Sequence, residues 1–180
     1  MEFIETGIQG LWVVQPRVYK DDRGYFFESF KKSAFLDKGI EIDFPQDNQS
    51  FSCKNVLRGL HFQKPPYAQG KLVRVVRGAV LDVAVDIRAD SSTYGKYFSI
   101  ELTEDNFTML WIPEGFAHGF LTLKDDTIFS YKCTQYYEKS AEQAILWNDP
   151  ILNIDWKIKD PVLSEKDKAG EKFSTFISPF

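Results

Sequence analysis

His61 and His118 are the two histidines of this sequence, and histidine is the side chain whose ordinary titration range spans neutral pH. His61 lies in Val56-Leu57-Arg58-Gly59-Leu60-His61-Phe62-Gln63. Strict alternation along a strand puts Gly59, His61 and Gln63 on one face and Arg58 on the other, although a bulge at Gly59 re-aims Arg58. Two readings stand for His61: a hydrogen-bonded barrel residue, or a base for general acid–base chemistry. His118 lies in Ile112-Pro113-Glu114-Gly115-Phe116-Ala117-His118-Gly119-Phe120, which reads as a turn entering a strand. A barrel metal site needs three or four ligands, and the sequence has no third histidine, no Cys-x-x-Cys pair and no Cys/His cluster. No metal is expected.

Cationic and phenolic groups supply the rest of the chemistry. Lys71-Leu72-Val73-Arg74-Val75-Val76-Arg77 sets Lys71, Val73, Val75 and Arg77 on one strand face with Arg74 opposite. A cation aimed into a barrel needs a carboxylate or an anionic ligand to offset its desolvation, whereas a strand-end lysine reaches water. Asp82 and Asp86, on the next strand, are candidate partners for these cations. Tyr131 is an acid, a stacking surface or ordinary core. Arg23 and Glu28 flank Tyr25-Phe26-Phe27 as ligand-binding groups or a surface ion pair, and Asp167 matches a helix-cap partner of Ser164.

The elements that must position these groups are mostly strands. In Leu81-Asp82-Val83-Ala84-Val85-Asp86-Ile87 the apolar residues share one face, with Asp82, Ala84 and Asp86 on the other. Further strands are predicted over 10–15, 25–30, 49–53, 56–63, 71–77, 97–102, 108–112, 119–123 and 127–134, where aromatic and β-branched residues are punctuated by Gly, Pro, Asn and Asp. Helix signals are confined to 32–38, stopped by Gly39, and to a start capped by Ser164. With no βαβ rhythm, the expected fold class is all-β, an antiparallel jelly-roll barrel with a few short helices. One domain over 1–180, with a C-terminal arm from about residue 149, is the simplest division.

Composition narrows the function classes. The 180 residues are 43% hydrophobic and 16% aromatic, enough for a packed core. A net charge of -4 and the absence of a Lys/Arg run argue against nucleic-acid binding. No basic, apolar leader opens the chain and no apolar run is long enough for a membrane span. Cys53 and Cys133 form no disulfide framework, so a cytoplasmic location is expected.

Taken together, several ordered motifs resemble the dTDP-4-dehydrorhamnose 3,5-epimerase family, a metal-free branch of the cupin barrels. They are Asp22-Arg23-Gly24-Tyr25-Phe26-Phe27-Glu28, Gln46-Asp47-Asn48, Leu57-Arg58-Gly59-Leu60-His61-Phe62-Gln63, Gly70-Lys71-Leu72-Val73-Arg74-Val75, Ile112 to Phe120, Tyr131-Lys132-Cys133-Thr134 and Ile145-Leu146-Trp147-Asn148-Asp149-Pro150. The resemblance implies a homodimer that inverts C3 and C5 of dTDP-4-keto-6-deoxyglucose without a cofactor. It implies His61 as base, oriented by Asp167 with Asp82 as the alternative. Lys71 would face the C4 oxygen, and Tyr131 would be the acid on the opposite face. It assigns Arg23, Glu28, Gln46, Asn48, Arg58, His118, Glu142 and Lys166 to substrate binding, with Phe27 and Tyr137 stacking on thymine and some of these residues reaching across the dimer. Gln49 and Phe51 depart from the family's pattern, which favours a histidine and a basic residue there. The alternative functions are a single-position epimerase acting on dTDP-4-keto sugars and a non-catalytic nucleotide-sugar-binding cupin. A metal-dependent cupin oxygenase ranks lower, because Phe62-Gln63 follows His61 where a His-x-His motif is expected.

Overall fold

Alternation at period two decides which side chains turn inward, and the inward faces of two sheets enclose the core. The computed structural model describes all 180 residues. Its strands are β1 (Glu2–Glu5), β2 (Trp12–Gln15), β3 (Val18–Asp21), β4 (Gly24–Phe27), β5 (Gln46–Ser52), β6 (Leu57–Gln63), β7 (Lys71–Arg77), β8 (Ala79–Asp86), β9 (Tyr97–Thr103), β10 (Met109–Ile112), β11 (Phe116–Thr122), β12 (Thr127–Cys133) and β13 (Glu142–Ala144). Two short helices, α1 (Lys32–Leu36) and α2 (Glu165–Lys168), complete the elements.

One sheet runs β1-β2-β10-β7-β12-β5, the other β13-β6-β11-β8-β9, and β3 and β4 form a separate hairpin. The strand pairs are antiparallel, as in a cupin-like jelly roll. Val73, Val75, Val80, Ala84, Leu110, Phe120 and Phe129 pack between the sheets. The opposite face of β8, with Leu81, Val83, Val85 and Ile87, packs under Leu152, Trp156 and Phe176 of the segment beyond residue 149. Phe35 of α1 covers Val14, Leu72, Met109 and Trp111 on the outside of the six-stranded sheet.

That C-terminal segment is tied down by backbone pairing, which fixes where α2 sits. Val162 bridges Val56, and Glu171 bridges Ile145, in parallel sense. Leu57 N–H donates to Val162 O at 3.0 Å and Glu171 N–H to Ala144 O at 2.8 Å. Ser164 caps α2, its Oγ accepting from Asp167 N–H at 3.2 Å, as the cap motif predicts.

Several placements depart from the sequence reading. Strands β1, β3 and β13 were not anticipated; β1 and β13 are short and charge-bearing, and Glu142-Gln143-Ala144 carries no β-branched residue. His118 lies inside β11, not at a turn entering a strand, because the turn ends earlier, at Gly115 with φ +83°. Arg77 does not share the inward face of Lys71, Val73 and Val75. A register shift opposite Ile128 and Phe129 turns it out, where it pairs with exposed Asp126.

Candidate active site

The site begins with an extra residue in β6. His61 stands opposite His118, but Arg58 stands opposite Phe120, so three residue steps on β6 face two on β11. That bulge turns both Arg58 and His61 into the barrel, the outcome strict alternation forbids. Gly59 makes it feasible. Its φ is +144°, and a Cβ there would stand 2.5 Å from Gly119 Cα.

His61 lies across the barrel from Lys71 on β7 and Tyr131 on β12. All three line a cavity of about 270 Å³ together with Ser50, Arg58, His118, Glu142, Lys166 and Asp167. A second cavity of about 260 Å³ shares His61, Lys71, Tyr131 and Glu142 and adds Gln46, Asn48, Gln63, Gln69 and Tyr137. The two cavities therefore meet at the groups with acid–base capacity.

Asp167 stands behind His61, 3% exposed, with Oδ1 2.8 Å from His61 Nε2. The oxygen lies off the direction of an Nε2–H bond, so the contact is a close approach and not an aligned hydrogen bond. Such contacts in ligand-free sites commonly tighten when substrate binds. Oδ1 also accepts from Gly59 N–H at 3.1 Å, and Oδ2 accepts from Ser164 N–H at 3.3 Å and Ser164 Oγ at 2.5 Å. Burial pushes the Asp167 carboxyl up, but His61, Ser164 and Gly59 outweigh it and hold it at about 2. Capping α2 and pairing with His61 are thus done by one carboxylate.

Asp82 does not face His61. It is fully buried and takes His118 Nε2 at 2.9 and 3.1 Å from its two oxygens. Of the two outcomes open for Asp82 and Asp86, pairing with the cations of β7 is not the one found. Asp86 is held at about 2 because Arg88, Ser91 and Thr93 overcome the upward push of burial. Lys71 consequently has no carboxylate at ion-pair distance among Asp82, Asp86 and Glu142. Burial pulls its amine down from the ordinary lysine value, opposed by Cys133, Asp82 and Glu142. The Nζ lies 6.0 Å from the Tyr131 ring centroid. Burial, with Cys133, pushes the Tyr131 phenol up, so it remains a proton donor.

At the mouth, Tyr137 Oη donates to Glu142 at 2.8 Å and Lys166 pairs with the same carboxylate. Burial raises the Glu142 carboxyl, but the contacts from Lys166 and Tyr137 prevail and lower it. Arg58 is held by Ser52 Oγ, which accepts from Nε at 3.3 Å and Nη2 at 3.2 Å. Gln46 and Asn48 face the cavity from β5, whereas Gln49 and Phe51 are exposed on its outer face.

Arg23, Phe27 and Glu28 are not brought to either cavity. Arg23 pairs with Asp21 on the β3–β4 hairpin, Glu28 with Lys31, and Phe27 packs against Phe107 under Arg74. Ser50 and Gln69 line the cavities without having been singled out in the sequence. The alternation Asn48, Ser50, Ser52 is the signal that identifies Ser50. No three His, Cys, Asp or Glu side chains converge in the manner of a metal site.

Groups able to take, balance and return a proton surround one space inside a cupin-like jelly roll, which puts the molecule among the barrel isomerases that work by acid–base chemistry. The sequence model of the dTDP-4-dehydrorhamnose 3,5-epimerase family matches residues 5–175. The chain belongs to that family. It is 51% identical over 174 residues to the dTDP-4-dehydrorhamnose 3,5-epimerase of Shigella flexneri, covering 96% of each chain. The crystal structure of dTDP-6-deoxy-D-glucose-3,5-epimerase from Legionella pneumophila, in complex with dTDP-4-keto-L-rhamnose, superposes with a TM-score of 0.93 at 45% identity, covering 98% of this chain and 94% of that one. A 3'-monoepimerase from Streptomyces bikiniensis, in complex with dTDP-quinovose, matches with a TM-score of 0.87 at 33% identity over 93% of this chain and 86% of that one.

Proposed function

We propose that the protein inverts C3 and C5 of dTDP-4-keto-6-deoxyglucose, giving dTDP-4-keto-L-rhamnose. The observation that carries this reading is that His61 and Tyr131 face one another from opposite sheets across a cavity that Lys71 also lines. Both carbons flank the C4 ketone, so loss of either proton gives an enolate. His61 removes the proton, its imidazolium balanced by the Asp167 carboxylate. The C–H pair of electrons becomes the carbon–carbon double bond, and charge moves to O4. Lys71, without a carboxylate partner of its own, is free to meet that charge, and a dry site strengthens the interaction. Tyr131 returns a proton to the other face of the carbon. One proton has then reached His61 and one has left Tyr131, so both groups exchange with solvent before the second centre reacts.

Arg58 and Lys166 suit the diphosphate, Arg58 through its planar fork. Gln46, Asn48, His118, Glu142 and Tyr137 complete the binding surface on this chain. Arg23, Phe27 and Glu28, carried on the exposed hairpin, are proposed to serve the site of a second copy in a homodimer. The exposed Tyr19, Tyr25 and Phe26 of that hairpin support an interface there. Residues 1–180 are proposed to act as one domain. Two free cysteines, and no helix long and apolar enough to cross a membrane, fit a cytoplasmic enzyme.

Inversion at C3 alone is the second reading, supported by the likeness to the monoepimerase. Incubation with dTDP-4-keto-6-deoxyglucose in heavy water separates the two. Deuterium at both carbons, with the L-rhamno product, is expected; uptake at C3 only establishes the second reading, and no uptake refutes both.

A further inference from the structure

Gln46, Asn48, Ser50 and Ser52 alternate on β5 with the exposed Asp47, Gln49 and Phe51, forming a column of four polar side chains on the strand's inner face. Three of the four have partners. Gln46 Nε2 donates to Asn48 Oδ1 at 3.0 Å, and Gln46 Oε1 accepts from Tyr137 N–H at 2.8 Å. Asn48 Nδ2 donates to Cys133 Sγ at 3.5 Å, and Ser52 Oγ takes the Arg58 guanidinium at 3.2 and 3.3 Å. Ser50 Oγ is shut off from bulk water and has no hydrogen-bond partner. A buried hydroxyl left in that state is uncommon and unfavourable. Ser50 lines the cavity that holds His61, Lys71, Tyr131 and Arg58, and it is not part of the outer cavity beside Gln69 and Tyr137.

Building on the epimerase reading, we propose that Ser50 is a substrate-binding residue that hydrogen-bonds the C2 hydroxyl of the sugar. The group that meets it is neutral, because the anionic diphosphate is better served by Arg58 and Lys166. On the reacting ring C4 is a ketone, C5 carries a methyl group, and the C3 hydroxyl changes face when its carbon is inverted. The C2 hydroxyl alone keeps its configuration throughout, so a contact there holds substrate, intermediate and product in one register. Ser50 therefore reads the sugar and not the nucleotide, and it disfavours 2-deoxy sugars.

Calorimetric binding of dTDP, dTDP-glucose and dTDP-2-deoxyglucose to wild type and Ser50→Ala tests this without any turnover. Ser50→Ala is expected to weaken dTDP-glucose roughly tenfold, the worth of one neutral hydrogen bond, while dTDP and the 2-deoxy compound bind both proteins equally. An undiminished affinity for dTDP-glucose, or an equal loss with the 2-deoxy compound, overturns the assignment. Ser50→Gly, a second truncation, must give the same pattern. Heavy-water exchange on the 4-keto substrate is run in parallel. A wild type that binds but takes up no deuterium refutes the epimerase reading, while the binding comparison still decides on Ser50.

Discussion

Replacing Asp167 with asparagine probes the dyad at almost constant shape. The carboxylate accepts from Gly59 N–H at 3.1 Å on Oδ1 and from the backbone and hydroxyl of Ser164 on Oδ2, and Oδ1 also stands 2.8 Å from His61 Nε2. An asparagine has one oxygen and one NH₂ group, so one side of this arrangement must fail. With the NH₂ group toward His61, the ring nitrogen facing it becomes the acceptor. Its proton moves to the nitrogen that should take the substrate's proton, and Gly59 N–H loses its partner. With the NH₂ group toward Ser164, the Ser164 N–H at the N-cap is stranded and the charge balancing the imidazolium is gone. A lost buried partner costs roughly 1–3 kcal/mol of stability. Loss of a correctly set general base costs roughly 10²- to 10⁴-fold in kcat. Deuterium uptake at C3 and C5, followed by NMR, reads the second effect, and urea denaturation reads the first. Affinity for dTDP is expected to be unchanged. Exchange within threefold of wild type at both carbons would show that Asp167 is only a cap for α2, and the dyad reading would be wrong.

Lys71→Met removes the lysine proposed to meet O4 and also a cation whose burial is unfavourable. Its kcat should fall roughly 10²- to 10³-fold while its urea midpoint stays level or rises; a stable variant with normal turnover would remove Lys71 from the mechanism. Gly59→Ala should destabilise the fold by roughly 2–4 kcal/mol, because the new Cβ would meet Gly119 Cα at 2.5 Å and φ is +144°; an unchanged melting temperature would mean the bulge accepts a side chain. Asp86 and Asp167 are each held at about 2 in the folded protein against 3.8 ordinarily. Between those values the unfolded chain binds more protons, so stability is fully present above about pH 4 and is lost as pH falls toward 2. The loss should be roughly 1–2 kcal/mol per group after allowance for solvent screening. Urea titrations from pH 5 to pH 2 measure it, and a flat profile would contradict the pairing of both carboxylates.

What the sequence revealed of this molecule follows local periodicity closely. Asp82, Ala84 and Asp86 are inward and Leu81, Val83 and Val85 outward, because a two-residue repeat needs no knowledge of the rest of the chain. The same rule carries Lys71 and Tyr131 into the barrel. It breaks at Arg58, where an extra residue shifts the repeat, and at Arg77 beyond a second register shift. Which carboxylate meets which histidine was beyond its reach, since Asp82 with His118 and Asp167 with His61 are decided by sheet order and by parallel bridges far along the chain. Arg23, Phe27 and Glu28 were matched to the site by motif, yet this chain by itself holds them on a hairpin away from the cavities. Gln49 and Phe51, departures from the family's pattern, lie on the outer face of β5.

The carboxylate behind His61 is delivered by α2, long after the barrel strands have been made. A ribosome releasing this polypeptide thus exposes every strand of the β-structure before the proposed His61–Asp167 pair exists. Emergence of the final segment completes the proposed pair, and because the same segment lays Leu152, Trp156 and Phe176 over Leu81, Val83 and Val85, a product cut short before it would lose that carboxylate and its outer packing together.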